Sequence, residues 1–281
     1  MASTSERFAF WTLRAVTYVV VIAVGYIIAD ILLNGFAALS WSFLTTPPTP
    51  DGKGGIFPAI VGTVYLVAGT FLVALPLGMA SAVYLTEYAK QGRFTNSLRL
   101  AIVTLAGVPS IVFGLFGLGL FVVFCNFGSS ILAGSLTLAC MVLPTIIVSS
   151  EESLRAVPQA LREASLALGA TKWETIRKSV LPFAIPGMLT GSILGIGRAA
   201  GETAPILLTV AAFYLPSLPR SIFDQVMALP YHLYVLATQF PNANEVRPTQ
   251  YGTALVLLLL VLGLNVGAIV LRVHFRKRNR W

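Results

Sequence analysis

Charged residues are spaced along this chain so widely that the apolar stretches between them outline its architecture. Residues 15–39 form one apolar run, interrupted only by Asp30, and residues 54–86 carry no charge at 33 consecutive positions. Residues 100–150 are uncharged over 51 positions, too long for one membrane helix and suited to two. A turn at Cys125-Asn126-Phe127-Gly128-Ser129-Ser130 would join them. Residues 179–219 hold a fifth span with two charges inside it, Arg198 and Glu202, and residues 248–271 form a sixth. Each run reaches the ~20 residues that cross a ~30 Å hydrocarbon core. The segment 225–244 is also uncharged, but Pro230 and Pro241 leave too short a run to cross. It reads as an interfacial or external loop, within an external segment 211–250.

This pattern predicts an all-α polytopic membrane protein of six transmembrane helices, occupying residues 1–281 as a single domain. Composition agrees. Of the 281 residues, 56% are apolar and 11% charged, against about 25% charged in soluble domains, so the chain cannot clothe a water-soluble surface. Arg7 and Arg14 precede the first run, which is too long for a signal-peptide core and is read as a retained span.

A net charge of +8 raises the question of nucleic acid, and the placement of the charges answers it. With six spans, both termini and the loops 87–99 and 151–178 share one side. Fifteen of the 19 basic residues then fall on that side: Arg7, Arg14, Lys90, Arg93, Arg99, Arg155, Arg162, Lys172, Arg177, Lys178, Arg272, Arg276, Lys277, Arg278 and Arg280. Lys53, Arg220 and Arg247 fall opposite, and Arg198 lies within the membrane. The positive-inside rule makes the basic side cytoplasmic, in a plasma (inner) membrane. Five or seven spans would split these clusters. The basic tail at 276–280 therefore reads as a partner of anionic lipid, with no nucleic-acid role.

Catalytic and metal signatures are missing from the sequence. No G-x-x-x-x-G-K-[ST], H-E-x-x-H or G-x-S-x-G occurs. Cys125 and Cys140 sit apart in apolar stretches, and His232 and His274 have no acidic or cysteine company. The expectation is a non-enzyme with no catalytic residues, no metal and no cofactor of its own.

Two segments carry positive signals. In the loop 151–182, Pro158 suits the first position of a helix, and Leu161, Ala164, Ser165 and Leu168 recur on one helical face. Gly169 can stop that helix in the left-handed conformation. Thr171 and Glu174 form a T-x-x-E capping box that opens a second helix, faced by Trp173, Ile176 and Val180. Such a pair would either lie on the lipid surface or project to dock in a partner's groove. In the fifth span, Gly187, Gly191 and Gly195 recur every four residues, with Gly197 and Gly201 as a second pair. Rows of small residues let helices approach closely in lipid, inside one subunit or between two.

Arg198 and Glu202 are the most informative charges. They are four apart on one face, with Arg198 roughly 20–24 Å beyond Pro182 at 1.5 Å per residue. A charge near a bilayer centre costs about 2.5–3.5 kcal/mol on insertion scales, which marks the pair as functional. Arginine presents a planar fork that fits an oxyanion, and Glu202 would hold it while no anion is present. Pro205 frees a backbone carbonyl at the same level. Asp30 reads as a snorkelling or capping carboxylate, Pro109 and Pro144 as kinks, and Phe113, Phe116, Phe121 and Phe124 as lipid-facing or core aromatics.

The run Glu163-Ala164-Ser165, then Gly169, then Leu181-Pro182, resembles the E-A-A-x-x-x-G…L-P signature of ABC-transporter permeases, with Ser165 a small-for-small replacement. The stretch Gly197-Arg198-Ala199-Ala200-Gly201-Glu202-Thr203-Ala204-Pro205 resembles the A-R-x-x-G-E-T-A-P segment of the phosphate ABC importers (Pst systems), in their PstA-type permeases. The resemblance implies the ABC importer permease fold, half of a phosphate pore, and a substrate path through Arg198, Glu202 and Thr203. It also implies an ATPase contact at Glu163, Ala164 and Gly169. Its implied partners are a PstC-type permease, two PstB-type ATPase subunits that bind the ATP and Mg, and an extracytoplasmic phosphate-binding protein. ATP binding would draw the ATPases together, move the coupling helices and alternate access to the pore. Alternatives are a permease for another oxyanion, an ion-coupled secondary transporter, which would call for more intramembrane carboxylates than Glu202 and Asp30, and a membrane scaffold.

Overall fold

A computed structural model describes residues 4–240 and 243–278; Pro241 and Arg280, used in the readings above, lie outside them. The described residues form helices and one isolated parallel bridge, Ala211 with Val226. In chain order these are α1 (Thr4–Ala38), α2 (Trp41–Thr45), α3 (Phe57–Val83), α4 (Arg93–Ala106), α5 (Ser110–Gly117), α6 (Ile131–Arg155), α7 (Gln159–Ala167), α8 (Lys172–Thr175), α9 (Leu181–Gly201), α10 (Ala204–Thr209), α11 (Leu229–Thr238) and α12 (Ala243–Arg278). Three π turns extend them: Tyr84–Tyr88 after α3, Leu118–Phe124 after α5, and Ile176–Val180 between α8 and α9.

Five stretches are long and apolar enough to cross a membrane: Phe10–Ala38, Phe57–Tyr88, Ile131–Arg155, Lys172–Gly201 and Asn244–Val270. The sixth carries the kink expected at Pro109, and there it is a sharp corner. The first half of the 100–150 run is not one straight helix, because α4 and α5 meet at 103°. Pro109 explains the break. It heads α5 with ψ 140, its ring excludes a helical conformation at Val108, and Gly107 ends α4. Pro144 lies inside α6, which runs without a break from Ile131 to Arg155. The fifth span also ends early, at Gly201 rather than 219. Glu202 leaves the helical conformation with ψ 132, and Pro205, which has no N–H for the Gly201 carbonyl, sits in the first turn of α10.

The core forms around α6, which packs on α3, α9, α5 and α4. Leu138, Val142 and Ile146 of α6 are nearly inaccessible and join Leu66 and Ala74 of α3 and Ala199 of α9 in one cluster. Close approach uses missing side chains. A Cβ on Gly191 would stand 1.7 Å from Ser149 Oγ, one on Gly187 2.5 Å from Ser153 Oγ, and one on Gly69 2.4 Å from Ser135 Oγ. The glycine row of the fifth span is therefore an internal seam against α6. Gly197 faces Asn265 of α12, and Gly201 faces open space.

The external segment is exposed over much of 214–225 and buried from Val226 to Pro230. Ile222 and Asp224 offer their carbonyls to the amides of Leu132 and Ile131, closing the first turn of α6. Leu229 N–H donates to Thr63 Oγ1 of α3 at 2.9 Å, and α11 packs on α12 and α3 with Leu229, Val235 and Leu236 buried. The proline-bounded run 225–244 is too short to cross, but it is apolar because it fills the end of the bundle. Asp30 also has partners inside the bundle. Tyr251 Oη donates to Asp30 Oδ2 at 2.9 Å and Asn34 Nδ2 to Oδ1 at 2.8 Å, clasping α1 to α12. From Phe10 to Ala29 the apolar α1 is exposed, and beyond Asp30 it turns Gly35 to Leu255 of α12.

His232 of α11 is 2% exposed and stacks on Phe213 with ring centroids 5.5 Å apart. Neither ring nitrogen has a hydrogen-bond partner among the described residues, and burial pushes its pKa down to about 4.

Two predictions follow from this packing. Gly191→Leu should destabilise the protein by about 1–3 kcal/mol through overpacking of the α6–α9 seam, while Gly201→Ala should be near neutral. Thermal melts in detergent compare them. The folded protein keeps His232 neutral where the unfolded chain protonates it. Stability should thus fall as pH drops from about 6.5 towards about 4, by at most about 1.4 kcal/mol per pH unit. His232→Leu should flatten that slope, and an unchanged slope would contradict the assignment.

Candidate functional site

Six residues singled out in the sequence separate into two groups at different places in the fold. Arg198, Glu202 and Thr203 gather at the break between α9 and α10. Arg198 stands in the last turn of α9, and Glu202 is its C-cap with an extended ψ of 132, outside the helix. The pair nevertheless forms: Arg198 Nε donates to Glu202 Oε1 at 3.3 Å. Side-chain exposures are 45% for Arg198 and 18% for Glu202, so the carboxylate is shielded while the guanidinium opens outward. Its Nη groups have no partner among the described residues. Thr203 is the N-cap of α10 through its backbone carbonyl, which accepts from Leu207 N–H, and its side chain makes no capping bond.

The direction of this site follows from the seam. Ala199 and Ala200 are buried against the core, while Leu194, Arg198 and Gly201 form the exposed stripe of α9 at helical spacing. Behind the break, α10 is held by α5, where Gly114 lets the Ala204 carbonyl and Pro205 come close. A guanidinium with free donors thus faces away from the subunit interior on a rigid helix end. That arrangement can take an oxyanion in a bidentate manner.

Glu163, Ala164 and Gly169 lie on the α7–α8 element. Gly169 has φ 83 and Thr171 accepts from Glu174 N–H while Glu174 returns to Thr171 N–H, completing the capping box. Glu163 and Ala164 are exposed on α7. Pro158 is the N-cap, one position before the expected first helical residue. Ser165 Oγ and Thr175 Oγ1 lie 3.0 Å apart and tie the two helices. The expected faces are only half right. Leu161 and Ser165 point inward, but Leu168 is 89% exposed; Ile176 and Val180 are buried, but Trp173 is half exposed. Leu166, Leu168 and Trp173 leave apolar surface on the outside of the element.

Sequence reasoning missed the ion pair that anchors this element and two more beside it, between α4 and α6 and within α6. Arg162 Nε and Nη2 donate to Glu87 Oε1 at 3.2 and 2.8 Å. Arg99 Nε donates to Glu151 Oε1 at 2.6 Å, and Arg155 Nη2 reaches the same oxygen at 2.7 Å. The one signal available was that Glu87 and Glu151 each sit at the end of a long uncharged run. Among the described residues no cluster of His, Cys, Asp and Glu could hold a metal ion.

Comparison with known proteins gives a consistent result. Residues 74–281 match the family described as binding-protein-dependent transport system inner membrane component. The chain is 36% identical over 253 residues to the probable ABC transporter permease protein YqgI of Bacillus subtilis (strain 168), covering 85% of each. It is 40% identical over 228 residues to phosphate transport system permease protein PstA 1 of Mycobacterium tuberculosis (strain ATCC 25618 / H37Rv), covering 81% of this chain and 72% of the relative. An inward-facing structure of the MetNI methionine ABC transporter shares the fold with a TM-score of 0.60 at 18% identity, over 78% of this chain and 97% of that one.

Gly169 has nothing within 4 Å of where a Cβ would stand, so only its backbone conformation resists substitution. Gly169→Val should cost about 1–2 kcal/mol and loosen the turn, raising amide hydrogen exchange over residues 165–176. Gly169→Asn, which tolerates the left-handed region, should stay close to the parent. Equal exchange in all three proteins would show that the turn does not depend on glycine.

Proposed function

Since this chain belongs to the family of binding-protein-dependent transport system inner membrane components, we propose that it is the PstA-type permease subunit of an ATP-driven phosphate importer. It is a multi-pass membrane protein and a transport subunit of the ABC class, working with an ATPase and a binding protein. The finer reading names a PstC-type permease as the other half of the pore, two PstB-type ATPase subunits and an extracytoplasmic phosphate-binding protein. ATP and Mg belong to the ATPase in this scheme, and this chain supplies no catalytic group. Both termini and the α7–α8 element lie on the cytoplasmic side, where most of the basic residues gather.

The observation that carries the phosphate reading is the exposed Arg198 guanidinium, held by Glu202 at the open end of α9. Phosphate presents tetrahedral oxygens to the free Nη donors, and charge-assisted bonds of this kind contribute about 1.5–3 kcal/mol. Glu202 keeps the arginine oriented when the path is empty. Its charge also opposes the anion, so a bound phosphate is not trapped. Thr203, at the break, adds a hydroxyl beside the path. On the cytoplasmic face, Glu163, Ala164 and Gly169 shape the surface that meets the ATPase, with Leu166, Leu168 and Trp173 as its apolar part.

The decisive test is phosphate uptake by assembled complexes in proteoliposomes. Arg198→Lys keeps the charge and loses the fork, and should lower uptake by at least roughly tenfold. The double change Arg198→Leu with Glu202→Leu leaves no unpaired charge, so a purely structural pair would tolerate it. Loss of uptake in that double variant is expected. Near-normal uptake would remove Arg198 from the path.

A further inference from the structure

The π turn Tyr84–Tyr88, where α3 ends, is held by side chains from three separate elements. Arg99 of α4 donates Nη2 to the Leu85 carbonyl at 2.8 Å. Arg162 of α7 grips Glu87 with two donors. Lys172, at the start of α8, places its ammonium 5.0 Å from the centre of the Tyr88 ring. Both helices of the α7–α8 element therefore hold successive residues of one short turn.

Arg162 is the stronger of these holds. Its side chain is 13% exposed and that of Glu87 9%. Beyond Glu87, Arg162 donates Nη1 to the Val157 carbonyl at 2.7 Å and Nη2 to the Leu154 carbonyl at 2.8 Å, closing the last turn of α6. A lysine could not make this set, because an ammonium lacks the fork. Most of the packing of α7 is on α8 and the π turn after it, and Leu161 adds an apolar contact with the cluster that includes Ala82 and Leu154. The guanidinium is thus its direct polar link to the ends of both α3 and α6. At its other end α3 accepts the Leu229 amide on Thr63 and packs Gly62 against Met227. A shift of α3 is accordingly felt in the outer segment.

We propose that Glu87, clamped by Arg162, is a positioning residue of the transport cycle: the pair ties α7 to α3 and α6, so that a displacement of α7 carries both helices with it. The inference rests on the reading of α7–α8 as the element that meets the ATPase. A π turn has a spare residue and a weaker hydrogen-bond pattern than an α-helix. Without an external clamp it would absorb the displacement instead of passing it on.

The complete complex, reconstituted with its ATPase and binding protein, provides the test. Glu87→Gln keeps shape and an acceptor oxygen, leaves the two carbonyl bonds of Arg162, and removes the charge. The expected result is an assembled complex that hydrolyses ATP within about twofold of the parent while phosphate carried per ATP falls roughly tenfold, the scale of a coupling energy. Glu87→Asp keeps the charge and should recover part of the ratio. An unchanged ratio in assembled Glu87→Gln complexes would overturn the proposal. A second measurement needs neither a variant at 87 nor a known substrate. Spin labels at 159 on α7 and 77 on α3 should keep their separation between nucleotide-free and vanadate-trapped parent complexes. A change of more than about one helical turn, ~5.4 Å, would mean the tie does not hold through the cycle. A parent complex that keeps this separation but moves no phosphate would leave the clamp intact and overturn the substrate reading instead.

Discussion

Contact between α6 and its two long neighbours is the constraint on which the structure depends. In lipid, apolar surface gives helices no reason to prefer one another over acyl chains, so association rests on close packing and on polar contacts. Here that packing is made by glycine on one helix against serine on the next: Gly69 with Ser135, Gly191 with Ser149, Gly187 with Ser153. The arrangement fixes the rotation of α9. With one side pressed to α6, the opposite stripe, Leu194, Arg198 and Gly201, has nowhere to face but outward. The exposure of the arginine is a consequence of where the glycines are.

Polar groups are treated economically throughout. Asp30 takes Tyr251 and Asn34, Glu151 takes Arg99 and Arg155, and Glu87 takes Arg162. Each of these three carboxylates joins elements distant in sequence, and removing either member of an ion pair would leave the other uncompensated. Arg198 breaks this pattern, since its single long bond to Glu202 leaves donors unspent on an exposed face. The contrast separates the pairs that join distant elements from one that stays local to a helix end.

What could be read from the sequence depended on how local its cause was. The Gly169 turn and the Thr171–Glu174 box are set by residues three or four apart, and both appear as expected. Apolar runs locate the spans and Pro109 marks a kink, but a run without charge looks the same whether it bends or turns a corner, so the 103° angle was not evident. The burial of α11 was hidden for a related reason: its apolar character suited a membrane surface as well as the end of a bundle. Tertiary pairs were out of reach. Arg162 and Glu87 lie 75 residues apart, Tyr251 and Asp30 221 apart, and no periodicity links them.

The corner between α4 and α5 bears on how the chain enters a bilayer during synthesis. From Ser110 to Phe124 there are only 15 residues, which at 1.5 Å each reach ~22 Å, short of a ~30 Å hydrocarbon core. By itself this piece is a poor stop-transfer sequence for the translocon. The next helix, α6, follows after a turn of six residues, Cys125 to Ser130, and is long enough to cross unaided. The shorter arm is therefore joined, through that turn, to a helix that can cross unaided, and the two form a hairpin whose longer arm sets its depth.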